Sequence, residues 1–187
     1  MDMDLENVVK PKKFYYLLHP RPVVIILTRC SNDKINAMPA SWITPVSEDP
    51  QTIAIAIDRT SFTSECLDYS GEATVNIPSS NYIDLVYGLG ITSGRDVDKI
   101  EKFKMKLAKS RSVSTPHWSE ALGWLEVKVD RYIDIGEVRL YIFNVVDYYM
   151  QKDVASEWGW DLRKTNILHH GIGRGFYTVG KLLIAKP

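Results

Sequence analysis

The sequence predicts a mainly-β, barrel-like single domain over residues 1–187, and three observations carry that expectation. Short β-branched segments recur along the chain, helical patterns are few and short, and no repeat, low-complexity tract or Pro/Gly-rich linker divides it. A chain of 187 residues is long enough to bury a core of its own.

The first strand is residues 23–28, a short β-branched run after Pro20 and Pro22 with the pattern of a buried strand. Residues 52–58 alternate Ile53, Ile55 and Ile57 with Ala54 and Ala56. The Ile face belongs in a core, and the bare Ala face suits close approach of a helix, another chain or a flat ligand. Residues 73–77 form a third strand, stopped at Pro78. Residues 124–131 alternate Leu125, Val127 and Val129 with Glu126, Lys128 and Asp130, so the charged face is expected to be wet. Residues 138–149 pair with that strand across Asp134-Ile135-Gly136, and residues 176–179 supply a last short strand.

Three helices are expected. Residues 63–70 have hydroxyl caps before them and Gly71 after them. Residues 81–88 carry Ile83, Leu85 and Val86 and close on glycine. Residues 96–103 place Val97, Ile100 and Phe103 on one face, with Asp96 as the cap.

Composition narrows the function classes. Lys plus Arg and Asp plus Glu both number 23, which gives no overall attraction to nucleic acid. The cations Lys99, Lys102, Lys104, Lys106, Lys109 and Arg111 read as a solvated face or loop. Two cysteines, Cys30 and Cys66, support neither a zinc ribbon nor a disulfide framework, and Cys66 reads as a buried small hydrophobe. The N-terminal 14 residues lack the apolar core of a signal peptide, and no apolar run approaches membrane-spanning length. A cytoplasmic protein with no membrane partner is expected.

The segments with chemical potential cluster early in the chain. Asn36 and Ser41 bring side-chain donors, Ala37 and Ala40 leave room for backbone approach, and Trp42 and Thr44 add a ring and a hydroxyl. The same stretch also fits a polar connection between strands. Arg59, Thr60, Ser61 and Thr63 then precede a helix, which is the combination a phosphate monoester needs: N–H groups, hydroxyls and a guanidinium. An ordinary N-cap beside a surface arginine fits these residues as well. Thr92-Ser93-Gly94-Arg95-Asp96-Val97-Asp98-Lys99 forms a third segment, able to close over a ligand, to contact a partner subunit or simply to cap a loop.

Other motifs lead nowhere. Gly171-Ile172-Gly173-Arg174-Gly175 precedes a strand-like run rather than a helix, so a dinucleotide fingerprint is not expected. The histidines His19, His117, His169 and His170 lack metal-ligand spacing, and no Gly-x-Ser-x-Gly supports a hydrolytic triad. Trp158 and Trp160 could lie across a ligand, but packing of the C-terminal segment accounts for them more simply.

The ordered series Arg21-Pro22, Asn36-Ala37-Met38-Pro39-Ala40-Ser41-Trp42, Thr44-Pro45-Val46-Ser47, Asp49-Pro50, Thr63, Gly71-Glu72, Asn76-Ile77-Pro78 and Ser93-Gly94-Arg95-Asp96 with Asp98-Lys99 resembles the flavin reductase-like family of FMN-binding split barrels, flavoredoxin-type proteins among them. It covers residues 14–103 closely and 123–146 more loosely. The resemblance implies a six-stranded antiparallel split barrel with short added helices, a homodimer, and noncovalent FMN near the subunit interface. It implies that Asn36, Ala37, Met38, Ser41, Trp42 and Thr44 line the isoalloxazine and ribityl chain. Arg59, Ser61 and Thr63 would hold the phosphate, Asn76 would support the flavin side, and Ser93, Gly94, Arg95 and Lys99 would complete the rim.

The resemblance further implies an FMN-dependent oxidoreductase fed by NAD(P)H. The alternatives are an FMN-binding electron carrier without a nicotinamide site and a ligand-free β-barrel interaction module. One departure bears on the choice. The turn Tyr132-Ile133-Asp134-Ile135 holds no histidine where this family often has one.

Overall fold

The structure, a computed structural model, describes residues 8–157 and 159–185. Trp158 and the first seven residues of the N-terminal stretch lie outside the described residues. Seven strands form one sheet: β1 (Val24–Arg29), β2 (Ile35–Ala40), β3 (Ile43–Glu48), β4 (Gln51–Asp58), β5 (Glu72–Ile77), β6 (Gly123–Ile135) and β7 (Val138–Met150). Their order across the sheet is β2-β1-β5-β6-β7-β4-β3, with every neighbouring pair antiparallel.

That order makes a split barrel. β2 and β3 are the two edges of the sheet, yet only Ser41 and Trp42 separate them in the chain. From Ala40 to Ile43 is three Cα steps, at most about 11 Å. The sheet must therefore curl until its edges nearly meet, and the Trp42 carbonyl accepts from the Ala56 N–H at 2.9 Å at that point. The sequence pattern suggests a connection over these two edge strands rather than strands. Pro39 and Pro45 obscure them, and each is tolerated because it lies on an edge strand, where an N–H can be spared.

The core follows from β1, which is central and apolar on both faces. Val24 and Ile26 point into the barrel with Ile53, Ile55, Ile57, Val75, Val127, Tyr141 and Phe143. Ile25 and Leu27 point outward and are covered with Val86, Leu89 and Trp118. Ile25, Ile26 and Leu27 are fully buried, each worth about 1.5–3 kcal/mol.

Helix α1 (Phe62–Ser70) is capped by the Ser61 hydroxyl oxygen, which accepts from the Ser64 N–H at 3.1 Å. It stops at Gly71, whose φ of +64° is the left-handed conformation glycine adopts freely. Helix α2 (Ile83–Ile91) runs through Gly88 instead of ending there. A Cβ at Gly88 would meet the Phe103 ring at 2.6 Å, so this glycine serves packing rather than termination. Helix α3 (Lys99–Lys102) is a single turn capped by Asp98, not Asp96, and Asp98 accepts from the Glu101 N–H at 3.0 Å.

Three further expectations are corrected. Cys30 and Cys66 form a disulfide that ties the end of β1 to α1; 36 residues separate them in sequence, and the curl of the sheet brings them together. Glu126 is fully buried rather than wet. Lys99 is buried too, although Lys102, Lys104, Lys106, Lys109 and Arg111 are exposed. The Gly171–Gly175 stretch is the turn between β8 (Leu168–His170) and β9 (Phe176–Thr178), which with Arg21–Pro22 form a small second sheet. No helix among the described residues is long and apolar enough to cross a membrane.

Candidate functional site

Three segments far apart in sequence meet at one hollow of about 210 Å³. β2 contributes Asn36 and Met38, the start of α1 contributes Ser61, Phe62 and Thr63, and the α2–α3 connection contributes Ser93, Gly94, Arg95 and then Lys99. The local folding is readable. The β1–β2 hairpin lays Asn36 beside α1, and the Asn36 Nδ2 donates to Thr63 Oγ1 at 2.8 Å. The 93–95 loop then crosses over Asn36. A Cβ at Gly94 would collide with Asn36 Oδ1 and meet Phe62 at 2.8 Å, so only glycine allows that approach.

Polar groups in the hollow are left partly unspent. Asn36 is 4% exposed, and its Oδ1 has no hydrogen-bond partner among the described residues. Lys99 Nζ donates to the carbonyls of Ala37 at 2.8 Å and Leu89 at 2.9 Å, leaving the third ammonium N–H without an acceptor among the described residues. No carboxylate lines the hollow, and burial pulls the Lys99 pKa down to about 8. Arg95 reaches outward to Glu65 at 3.0 Å, an exposed pair of little energetic weight. An anion is what this donor set lacks.

The hollow has two neighbours near β2 and the turn after it. It shares Gly90 with a second of about 250 Å³, which contains Ser41 and His170. The second shares Ser41 with a third of about 260 Å³, bounded by Tyr15, Arg21, Trp42, Thr44 and Ala54. The Ala54 position on the bare face of β4 thus opens on a cavity, while the Ile face fills the barrel. These three neighbouring hollows are called the trough below; its first member is lined by Arg95 and Lys99 and its third by the Tyr15 and Trp42 rings.

Eleven of the sequence-derived site residues line this trough: Asn36, Met38, Ser41, Trp42, Thr44, Ser61, Thr63, Ser93, Gly94, Arg95 and Lys99. Three do not. Ala37 is fully buried and takes part through its carbonyl to Lys99. Arg59 turns away to Asp134 at 3.8 Å, drawn by the carboxylate on β6. Asn76 is fully buried, with its amide donating to Ile25 O and Thr74 and its Oδ1 accepting from the Trp118 N–H at 2.8 Å. Thr60 also differs from expectation: its hydroxyl and N–H both bond Asp58 Oδ1 at 2.7 Å, and those bonds hold the Asp58 pKa below its ordinary value.

Sequence reasoning missed Gly90, Tyr15 and His170 as lining residues. Only their long-range placement puts them there. His170 is visible as a histidine, but its neighbour in the trough, Ser41, is 129 positions away in the chain.

Comparison with known proteins agrees with this fold. A family model described as "Flavin reductase like domain" matches residues 16–171. The chain is 30% identical over 175 residues to the uncharacterised protein YddH of Escherichia coli, covering 90% of this chain and 92% of that one. Among solved structures, flavoredoxin of Desulfovibrio vulgaris (Miyazaki F) superposes with a TM-score of 0.82 at 22% identity, covering 99% of this chain and 97% of that one. An FMN-binding protein from Thermus thermophilus, solved with 1-cyclohex-2-enone, gives a TM-score of 0.83 at 21% identity over 98% of this chain and 100% of that one.

Proposed function

The chain belongs to the flavin reductase-like family, and from that premise we propose that it binds FMN noncovalently in the trough along β2 and passes electrons through it. The observation that carries this reading is the meeting of Lys99, Arg95, Ser61, Ser93 and the α1 N-terminus in a hollow with no acid. A phosphate monoester has close to two negative charges and three acceptor oxygens, which match the spare donors there. The unpartnered Asn36 Oδ1 matches a hydroxyl or ring N–H of the same ligand. Met38, Ser41, Trp42 and Thr44 supply the length and flat wall that a tricyclic ring requires.

Bound flavin would supply hydride and electron acceptance. The chain's own residues would bind and orient it, keep water from its phosphate end and hold a proton on Lys99 Nζ while an anion is present. Fluorescence titration with FMN is the direct test. Stoichiometric, saturable quenching is expected; its absence would leave only a ligand-free interaction module.

NAD(P)H is the proposed electron donor. A carrier without a nicotinamide site is the second reading, favoured by the Tyr132–Ile135 segment, which holds no histidine. Stopped-flow mixing of the FMN-loaded protein with NADH or NADPH separates the two: rapid bleaching of the flavin band means a reductase, persistence means a carrier. A homodimer is proposed as well, supported by the exposed apolar side chains Val46, Val146 and Tyr148, and sedimentation equilibrium tests it. A cytoplasmic location is part of this reading. The disulfide weighs against a reducing cytosol, and thiol titration of freshly lysed cells decides the matter.

A further inference from the structure

One turn of α1 separates the Cys30–Cys66 disulfide from the hollow that contains Lys99 and Arg95. Phe62 and Thr63 of α1 line that hollow, with Ser61 as the helix cap, and Cys66 follows Thr63 at the i+3 position. Cys30 comes directly after β1, and Asn36, on the other arm of the same hairpin, donates to Thr63 Oγ1 at 2.8 Å. A hydrogen bond at Thr63 and a covalent bond at Cys66 thus fasten the β1–β2 hairpin to α1. The hydroxyls of Ser61 and Thr63 face the hollow only while α1 keeps this position against the hairpin.

The link is sheltered but not sealed. Cys30 is 2% and Cys66 1% exposed, so neither sulfur meets solvent in the closed fold. Cys30 nevertheless leads into a turn, residues 31–34, in which every residue is exposed. Asp33 in that turn has φ of +59°, the left-handed region that a non-glycine residue occupies at some cost. The turn is held by the Asp33 N–H to Cys30 O at 3.0 Å, the Cys30 N–H to Lys34 O at 2.9 Å and the Lys34 N–H to Asn32 Oδ1 at 3.2 Å. Bonds at an exposed turn open locally while the barrel stays folded, and this opening bares the Cys30 sulfur.

We propose that the Cys30–Cys66 link is a thiol-operated switch on the phosphate hollow. Closed, it holds Ser61 and Thr63 in place for the anion; opened by a dithiol, it frees the start of α1 and weakens the hold on phosphate. The dithiol's first thiolate attacks the Cys30 sulfur, the Cys30–Cys66 bond breaks with Cys66 leaving as thiolate, and a mixed disulfide forms. The second thiolate of the dithiol then displaces Cys30. The protein gains two electrons and two protons as a pair of thiols, and the dithiol loses them as it becomes a disulfide. The inference rests on the FMN reading for its ligand and adds the regulation of that site.

The test is titration of the full chain with FMN and with riboflavin, which lacks the phosphate, in two states. One is oxidised; the other is reduced with dithiothreitol and freed of it under nitrogen, with thiol titration confirming the state and circular dichroism the fold. Opening the link is expected to weaken FMN about tenfold or more, to change riboflavin by under about twofold, and to be reversed by reoxidation. Cys30→Ser with Cys66→Ser is expected to bind FMN like the reduced chain and to ignore dithiothreitol. Equal FMN affinity in the two states overturns the switch. So does equal weakening of FMN and riboflavin, or a reduced chain that unfolds at the temperature of the titration, since either makes the link a staple of the fold alone. Failure of FMN to bind the oxidised chain would sink the flavin reading by itself, and inorganic phosphate then becomes the probe. Phosphate about tenfold weaker on reduction keeps the switch; phosphate equal in both states, or bound in neither, overturns it.

Discussion

Glu126 and Lys99 are buried charges held on opposite terms. Glu126, fully buried on β6, accepts from the N–H groups of Arg111, Ser112 and Val113 and from the Tyr149 hydroxyl. Burial pushes its pKa up, but those four donors outweigh burial and hold it below the ordinary value. Lys99, 5% exposed, has two carbonyls and no counter-charge, and burial wins. A buried charge whose bonds are complete is a structural pin; Glu126 fixes the 111–113 loop to the barrel wall. A buried charge whose bonds are incomplete stores an affinity for something the chain does not supply.

The comparison is broken most severely by removing the pin. Glu126→Leu strands three N–H groups and a hydroxyl, and should cost about 3–5 kcal/mol in urea unfolding while folded protein keeps its FMN affinity. A stability loss under about 1 kcal/mol would show that water replaces the carboxylate easily.

Opening the Cys30–Cys66 link is the next largest effect. Closing a loop of this length is worth about 3–4 kcal/mol. Reduction, or Cys30→Ala with Cys66→Ala, should lower the unfolding midpoint accordingly and loosen the start of α1.

Lys99→Met should act in the reverse sense to Glu126→Leu. It removes an under-compensated charge, so the FMN-free protein keeps or gains stability. FMN binding weakens by about 1.5–3 kcal/mol, roughly 10- to 150-fold in Kd. Loss of stability without loss of affinity would make Lys99 a second pin.

The pH dependence is gentler and has a definite sign. With a pKa of about 8 in the free protein, Lys99 loses its proton as pH rises through that value. A bound phosphate favours the protonated form, so FMN affinity should be highest between about pH 6, where the phosphate gains its second charge, and about pH 8. Above about pH 8 it should fall by up to about tenfold per pH unit, and Lys99→Met should flatten that fall. Smallest of all, Arg59→Gln should change FMN affinity and stability by under about 1 kcal/mol, since its ion pair with Asp134 is half-exposed.

Legibility differs by element for physical reasons. β4 is plain because its Ile/Ala alternation is the period of a strand whose bulky face fills the core. α1 is plain because Ser61 and Gly71 have local capping roles that require no tertiary partner. β2 and β3 are hidden, since edge strands tolerate prolines and polar residues that a central strand would reject. Glu126 misleads because alternation reports which face a residue takes, not whether a later loop will cover that face. Arg59 looks like a phosphate ligand by type and spacing, but Asp134, 75 positions later, redirects it.

The amino-acid order alone determined the strand-rich class, the caps of α1 and the residue types of the trough, because propensity, capping and donor chemistry act within a few positions. Only the tertiary structure decided which donors remain unspent. The curl that brings β2 towards β3 joins Cys30 to Cys66, lays the 93–95 loop over Asn36, and leaves Lys99 and Arg21 without counter-charges among the described residues. Whether a polar group is satisfied depends on every atom that reaches it, and most of those atoms are far away in the chain.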